Sequence, residues 1–399
     1  MYEALLLLIL PLASALLTDR IAFSLFLIVT FLYSVENNVE IRIRNIDEKT
    51  SYFNTFLLAT VLSAISCISL PREIVYASVF SITAHEIRKR SLWNILTFTI
   101  LSFVYFIYFY YVNSYPFDFV QVLFLSLAGG LSASIVECVE TDADKRVTLL
   151  LAMATTFTIF KIYVPSASIE SLAIAFTISF FISLLALKLR VADESGLMSA
   201  TLVGTILILF TDIRFFTLIL LFYIIGSISS RYKYSSKEVL GLAEYGRGYA
   251  NVFGNSLAPL FFALQYSVTK NEFFLLAFVS SVATALGDTM ASEIGKTAKN
   301  VYLITNFKRV KAGTSGGISL IGEVSAIIGA LIISISGFLL KMINLYQVVI
   351  VTLSAFIAIH VDSVLGATLE EKGYLTNSAV NALATLSAGL FCYVFLLFM

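Results

Sequence analysis

Apolar runs of near-membrane length recur from one end of the 399-residue chain to the other, and polar segments separate them. A helix needs roughly 20 apolar residues to cross the hydrocarbon core of a bilayer, because each residue adds about 1.5 Å. Hydrophobic residues make up 59% of the chain and charged residues 13%, whereas a soluble domain carries about 25% charged residues. The sequence therefore predicts an all-α fold, a polytopic transmembrane helical bundle.

We expect about 15 spans in this bundle. The first run has no basic flank and is interpreted as a span, not as a cleaved signal peptide. The fourth run is short. It is counted as a span because the loops before and after it must lie on opposite sides of the membrane for the parity of the crossings to hold. The runs are Ala4–Leu17, Ile21–Val35, Phe53–Leu70, Ile74–Ala84, Leu92–Val112, Phe119–Val139, Val147–Val164, Ser168–Leu187, Leu197–Leu209, Phe215–Ser229, Tyr249–Val268, Phe273–Ala291, Ile318–Leu340, Gln347–His360 and Asn377–Phe398.

The lysines and arginines predict an orientation for the bundle. With a cytoplasmic N-terminus, 20 of the 26 basic residues fall in cytoplasmic loops, which satisfies the positive-inside rule. We therefore expect an integral, multi-pass membrane protein whose long polar loops face the cytoplasm, where nucleotides are. The formal net charge is zero, so no global field favours a nucleic-acid partner. The oligomeric state is left open.

Composition divides the chain near residue 165. Before this point the loops are short and few polar residues lie inside spans, whereas glycine-rich, acid-containing segments follow it. We predict an N-terminal transmembrane helical module over residues 1–165 and a second membrane domain over residues 166–399. Any chemistry is expected in the second domain. The three cysteines are scattered in apolar runs without the spacing of a metal site.

Carboxylates stand at the predicted cytoplasmic ends of two spans: Asp288 and Glu293 in one, Asp362 in the other. A carboxylate near membrane depth costs roughly 2.5–3.5 kcal/mol on insertion scales, so it usually has a partner or an ion. Mg²⁺ prefers one or two carboxylates together with phosphate oxygens. We expect the three side chains to be catalytic and to hold Mg²⁺; the alternative is a capped helix end with a solvated glutamate.

On a straight helix, Asp288 and Glu293 would point about 140° apart. They can act together only if the helix breaks near Gly287 or Gly295, or if both side chains flank one cavity.

A glycine-rich turn follows three cations and opens the next helix. Free backbone N–H groups beside hydroxyls and cations form a cradle for phosphate, and the Walker A pattern is absent. The alternative is a structural re-entrant turn with a basic flank. The residues predicted here to bind phosphate or nucleotide are Lys308, Gly313, Thr314, Ser315, Gly316, Gly317 and Ser319.

Two further polar segments are expected to contribute. Arg247 stands between glycines and offers a bidentate fork for phosphate, with Asn251 and Asn255 four residues apart on the following helix face. An arginine bound only to lipid headgroups is the alternative. We add Lys237, Arg247, Asn255 and Asn381 to the predicted phosphate- and nucleotide-binding residues.

These segments resemble the membrane family labelled domain of unknown function 92, which includes the plant phytyl-phosphate kinase. The resemblance covers about residues 170–399. It depends on Ser195-Gly196, the GRxxxxxxxN pattern ending at Asn255, the DTxASE pattern from Asp288, GTSGGxS from Gly313, DSxLGAT from Asp362, and Asn381.

The resemblance implies an integral-membrane, Mg²⁺-dependent kinase. Such an enzyme transfers a phosphoryl group from a nucleoside triphosphate, CTP or another, to an isoprenyl monophosphate and gives the diphosphate. The acidic residues would hold Mg²⁺, and the glycine loop and cations would hold phosphates. The implied partners are the lipid bilayer, the nucleotide and the isoprenyl phosphate, with no nucleic acid.

The N-terminal module is faintly similar to phytol and dolichol kinases in the segments Glu86–Lys89 and Ala133–Val147. The Gly-Asp-Ala core motif of those kinases is missing between the segments, so we assign no activity to this module.

Two other functions stay open at this point. A CTP-dependent cytidylyltransferase that makes a CDP-lipid needs a similar set of residues. A transporter could use broken helices at Gly287–Gly295 and Gly313–Gly322 to form an ion site. The acidic residues stand at one predicted membrane edge and no inverted repeat is visible, which favours the enzyme.

Overall fold

The computed structural model describes residues 2–42, 46–87, 94–164, 167–239, 241 and 246–397. Within these ranges the chain is helical almost throughout, and the prediction of an all-α membrane fold is confirmed. The chain forms two compact units, residues 1–177 and 178–399, and the division falls inside one helix. The predicted domain boundary, between residues 165 and 166, lies outside the described residues, as do Arg88 and Lys89 of the faintly kinase-like segment.

The first unit consists of helices joined by short connections. Aromatic rings fill much of its interior, for example Phe26 stacked on Tyr76 with ring centroids 5.7 Å apart. Its helices are α1 (Tyr2–Ser14), α2 (Asp19–Asn37), α3 (Glu48–Ser66), α4 (Arg72–Ser81), α5 (Ala84–Ile87), α6 (Asn94–Val112), α7 (Phe119–Cys138) and α8 (Lys145–Ile162), and α9 (Ile169–Lys188) continues into the second unit.

The second unit contains the remaining helices and three short strands. The helices are α10 (Glu194–Phe210), α11 (Ile213–Arg231), α12 (Tyr234–Val239), α13 (Tyr249–Thr269), α14 (Glu272–Gly295), α15 (Leu320–Leu339), α16 (Leu345–Leu365) and α17 (Asn377–Leu397). A five-residue π-helical turn, Gly366–Glu370, extends α16.

Each of the fifteen predicted runs coincides with a helix, but eight helices of the described residues are both long and apolar enough to cross a membrane. The ten residues of α4 rise only about 15 Å, half of the hydrocarbon thickness. The count of about fifteen spans is therefore not confirmed. The eight are α6, α7, α9, α11, α14, α15, α16 with its π turn, and α17.

Helix α14 is the centre of the second unit and packs against α11, α13, α15, α16 and α17. Its closest neighbour is α15: a Cβ atom added to Gly329 would lie 2.8 Å from the Cα atom of Gly287. The two backbones therefore touch, and only glycine fits at this crossing. Glycine at 287 serves helix packing, and α14 continues through it without the break that we considered.

A small antiparallel sheet lies between α14 and α15 and was not predicted. Its strands are β1 (Val301–Leu303), β2 (Arg309–Val310) and β3 (Gly317–Ile318), in the order β2-β1-β3. Tyr302 of β1 stands opposite Arg309 and Ile318. Strands of two or three residues are too short to show an alternating apolar pattern. The sheet holds both ends of the glycine-rich segment 311–316, called the glycine loop below.

Candidate functional site

A polar cavity of about 420 Å³ lies in the second unit, where α13, α15 and α17 begin and α14 and α16 end. Twelve of the fourteen residues predicted from the sequence line it. Lys237 and Lys308 do not: Lys237 is buried beside it, and Lys308 is exposed in the turn between β1 and β2. The twelve are Arg247, Asn255, Asp288, Glu293, Gly313, Thr314, Ser315, Gly316, Gly317, Ser319, Asp362 and Asn381.

Two half-buried carboxylates line this cavity from different helices, Asp288 from α14 and Asp362 from α16. Within the described residues Asp288 makes no hydrogen bond or ion pair. Glu370 of the π turn lies close enough to interact electrostatically with both. Lys296 offsets part of the negative charge at Asp288, but three neighbouring acidic groups repel one another, so this wall of the cavity is suited to a metal cation.

Glu293 has partners that we did not expect. Its Oε2 atom lies 2.6 Å from the ammonium of Lys237, and its Oε1 atom lies 2.8 Å from that of Lys296. Lys237 is 1% exposed and also donates a hydrogen bond to the carbonyl of Ser230. Both oxygens of Glu293 therefore contact lysines, and Glu293 positions Lys296 at the cavity, which it lines together with Asp288 and Asp362.

In the part of the chain that the structure describes, no three acidic, histidine or cysteine side chains come together as a metal site. Mg²⁺ needs fewer protein ligands than such a group supplies, because it completes its shell with water and phosphate oxygens. The buried Oδ1 atom of Asn255 supplies a further oxygen, since no described residue donates to it. Asp288, Asp362 and Asn255 thus offer the hard oxygen atoms that Mg²⁺ requires.

The backbone of Arg247 is held by the segment before α10. Its N–H donates to the carbonyl of Val191 at 2.8 Å. The hydroxyl of Ser195 accepts from the N–H of Tyr249 at 2.9 Å. A Cβ atom on Gly196 would lie 2.1 Å from the carbonyl oxygen of Arg247. The Ser195-Gly196 motif therefore fixes the entrance to α13, and its role is structural.

The guanidinium of Arg247 lies against α11. It donates to the hydroxyl of Ser230 at 3.1 Å, and a Cβ atom on Gly226 would lie 3.1 Å from one of its terminal nitrogens. Because Gly226 has no side chain, the planar fork can lie flat between α11 and Thr289 of α14. This places a permanent positive charge at the edge of the cavity.

The glycine loop docks on the end of α16. Gly313 and Gly316 have φ angles of 86° and 73°, which favour glycine. A Cβ atom on Gly316 would lie 2.4 Å from the Cβ atom of Ala367. One on Gly366 would lie 3.1 Å from the backbone nitrogen of Gly316. The GTSGG and DSxLGAT motifs therefore pack against each other.

The loop also presents backbone donors. The N–H groups of Gly313, Ser315 and Gly316 donate to no described residue, whereas those of Thr314 and Gly317 close turns within the loop. Successive free amides beside hydroxyls bind anions well. The loop lines the cavity and can thus hold phosphate there.

Asn381 at the start of α17 connects these parts. With its amide nitrogen turned towards α16, it donates to Oδ2 of Asp362 at 3.3 Å and to the carbonyl of Asn377 at 3.1 Å. This hydrogen bond fixes the direction of the carboxylate.

Two residues that line the cavity, Lys296 and Glu370, were not predicted as site residues. Lys296 stands three residues after Glu293, a spacing that allows an ion pair on a helix, and this signal was available. Glu370 lies two residues beyond DSxLGAT, and it faces the cavity because the π turn rotates the end of α16, which no sequence pattern predicted.

Comparison with known proteins identifies the second unit. The model of the family described as integral membrane protein DUF92 matches residues 177–389. An uncharacterized membrane protein of Methanocaldococcus jannaschii is 33% identical over 228 residues, which are 56% of this chain and 94% of the relative. The chloroplastic protein VTE6 of Arabidopsis thaliana is 32% identical over 203 residues, 48% of this chain and 61% of the relative.

Protein PGR of Arabidopsis thaliana is 27% identical over 233 residues, 51% of this chain and 80% of the relative. No solved structure matches the chain. The matched range 177–389 covers more than half of the chain and contains every residue that lines the cavity. The chain therefore belongs to the integral membrane family DUF92.

Proposed function

We propose that the second unit is an integral-membrane kinase that transfers a phosphoryl group from a nucleoside triphosphate to an isoprenyl monophosphate. The observation that carries the proposal is the composition of the cavity, whose lining combines carboxylates, the glycine loop with its free amides, Lys296 and Arg247. The motifs lining the cavity are also those by which the chain resembles the plant phytyl-phosphate kinase.

Asp288 and Asp362 would hold Mg²⁺, and Asn255 offers a further oxygen. When bound, the ion neutralises charge on the phosphate oxygens of the nucleotide. Asn381 would hydrogen-bond the Asp362 carboxylate beside this position.

The chain's own groups would bind and align the two phosphate-bearing substrates. The loop amides and Lys296 hold oxygens of the nucleotide, and Arg247 holds the monophosphate. An oxygen of the monophosphate forms a bond to the γ-phosphorus, the bond from that phosphorus to the β–γ bridging oxygen breaks, and the nucleoside diphosphate leaves. Phosphoryl transfer depends mainly on alignment and charge neutralisation, and no cysteine or histidine lines the cavity among the described residues.

The position of the cavity at helix ends favours this chemistry over transport, because a transporter site is expected near the bilayer midplane. We propose that this end faces the cytoplasm, where the nucleotide is. The distribution of 20 of the 26 basic residues supports that orientation.

The test uses the full chain in lipid nanodiscs with Mg²⁺, geranylgeranyl monophosphate and each nucleoside triphosphate labelled at the γ-phosphate. We expect a labelled diphosphate that disappears when Mg²⁺ is omitted. A CDP-lipid formed from CTP labelled at the α-phosphate would identify a cytidylyltransferase instead. Absence of both products with every nucleotide would contradict an enzyme of either kind.

A further inference from the structure

Three small residues share one face of α10. Gly196, Ala200 and Gly204 are spaced four residues apart, so they lie above one another on the helix. All three line a second cavity of about 420 Å³. The small side chains form the floor of a groove that follows α10 for about 12 Å, at 1.5 Å per residue.

The walls of this groove are apolar. Residues of α9 such as Ile182 and Leu185 form one wall, and residues of α11 from Phe216 to Ile228 form the other. The lining follows α11 for about 18 Å, more than half of the hydrocarbon thickness. A surface of this length and composition is suited to a hydrocarbon chain.

Arginines stand at one end of the groove. Arg231 closes α11, and its guanidinium donates to the carbonyl of Leu189 at 3.2 Å. Among the described residues, Arg247 alone lines both the apolar groove and the polar cavity. Arg247 therefore stands where the apolar groove adjoins the polar cavity of the carboxylates and the glycine loop.

We propose that this groove binds the isoprenyl chain of the substrate and that Arg247 holds its phosphate at the junction with the polar cavity. The proposal rests on the proposed function, because it names the binding site of the acceptor. An isoprenyl monophosphate matches the junction in two ways: its chain is apolar, and its terminal phosphate is a dianion. A phospholipid can fill the groove, but its phosphodiester has no terminal phosphate to present to the second cavity.

Ala200→Phe tests the groove because this residue is half-buried on its floor. A phenyl ring there shortens the space available to a chain that begins at Arg247. We expect the ratio of kcat/KM for geranylgeranyl monophosphate to that for dimethylallyl monophosphate to fall about tenfold, within the range for a changed apolar pocket. Ser387→Phe enlarges a half-buried small residue of α17 that lines neither cavity, and it should leave the ratio unchanged. An equal loss for both substrates in Ala200→Phe would overturn the proposal.

A binding measurement separates the groove from the reaction. A photoreactive farnesyl monophosphate, applied to the full chain in nanodiscs without nucleotide, should label peptides of α9, α10 and α11. Geranylgeranyl monophosphate should compete, and phosphatidylglycerol should not. Equal competition by phosphatidylglycerol would overturn the assignment in favour of a general lipid site, and so would labelling elsewhere. Groove labelling without phosphoryl transfer from any nucleotide would support the groove and contradict the kinase.

Discussion

Asp288 directly follows a stretch of α14, residues 275–287, in which every residue is buried. It has no hydrogen bond or ion pair within the described residues, and its neighbours Asp362 and Glu370 carry the same charge. Replacing it removes repulsion without leaving another group unsatisfied. We expect Asp288→Asn to abolish labelled diphosphate and to leave the melting temperature in detergent unchanged or slightly raised. Activity close to that of the wild type would contradict a metal-binding role.

Glu293 should behave in the opposite way. Its carboxylate neutralises Lys237, which is 1% exposed. Removal of one partner from a buried ion pair destabilises a protein by roughly 3–5 kcal/mol. Glu293→Gln is therefore expected to lower the melting temperature clearly, whereas Asp288→Asn is not. If Glu293→Gln instead lost activity at unchanged stability, Glu293 would be a metal ligand, as the sequence alone indicated.

Arg247→Lys tests the recognition of phosphate. An ammonium cannot reproduce the bidentate fork, and the flat space beside Gly226 would be left partly empty. We expect KM for the isoprenyl monophosphate to rise about tenfold, since one lost charge-assisted hydrogen bond is worth roughly 1.5–3 kcal/mol. Arg309→Lys, at an exposed arginine of β2, is the control. It should leave the KM for the isoprenyl monophosphate and the KM for the nucleotide unchanged. Unchanged KM values in Arg247→Lys would make Arg247 a headgroup contact.

At the residue scale, the types of the site residues could be predicted and their pairings could not. Asp288, Asp362 and Arg247 were recognisable because a charged side chain near membrane depth costs free energy and usually has a partner or a function. Glu293 pairs with Lys237, which lies 56 residues away in the chain. A single sequence does not show which distant side chains meet.

At the scale of elements, the glycine loop depends on Gly316 for two separate reasons. Its φ angle is 73°, and a Cβ atom would meet Ala367 at 2.4 Å. Gly373 has nearly the same φ angle, 74°, but nothing within 4 Å of an added Cβ atom. Left-handed backbone costs an alanine roughly 1–2 kcal/mol, so Gly373→Ala measures this strain alone.

We expect Gly316→Ala to lose nearly all kinase activity because the loop can no longer dock on the end of α16. Gly373→Ala should lower the melting temperature slightly and keep most activity. Equal activities in the two variants would show that docking of the loop does not matter for turnover.

The fifteen longer helices could be predicted because apolar runs of 11 to 23 residues leave few other structures possible. The strands, the unbroken course of α14 through Gly287 and the π turn after Leu365 could not be predicted. Each of these follows from a contact between segments, such as that of Gly287 with Gly329, and not from a local pattern.

At the scale of the whole molecule, the two units carry separate polar networks. In the first unit, Arg146 pairs with Glu86 at 2.7 Å, Asp144 accepts from Ser51 at 2.7 Å, and His85 pairs with Glu137 at 2.5 Å. The matched range begins at residue 177. The Methanocaldococcus relative is covered over 94% of its length by a match to 56% of this chain.

We therefore expect a truncated chain starting at Ser168, which keeps α9 whole, to transfer phosphate at a rate within about tenfold of the full chain, a change of roughly 1.4 kcal/mol in activation free energy. The measurement is the same labelled-product assay in nanodiscs, with the melting transition confirming that the truncated chain is folded. A folded but inactive truncated chain, together with loss of activity in full-length Glu137→Gln, would show that the first unit contributes to the reaction.

The meeting of helix ends at the polar cavity has an electrostatic consequence. Helices α13, α15 and α17 begin there, and α14 and α16 end there. Each helix start carries a partial positive charge of about half an elementary charge, and each helix end a similar negative charge. Three helix starts and two helix ends therefore polarise the cavity independently of any side chain. After substitution of the charged side chains, the cavity should therefore still attract phosphate weakly. Added salt should reduce this remaining attraction, whereas further substitutions should not.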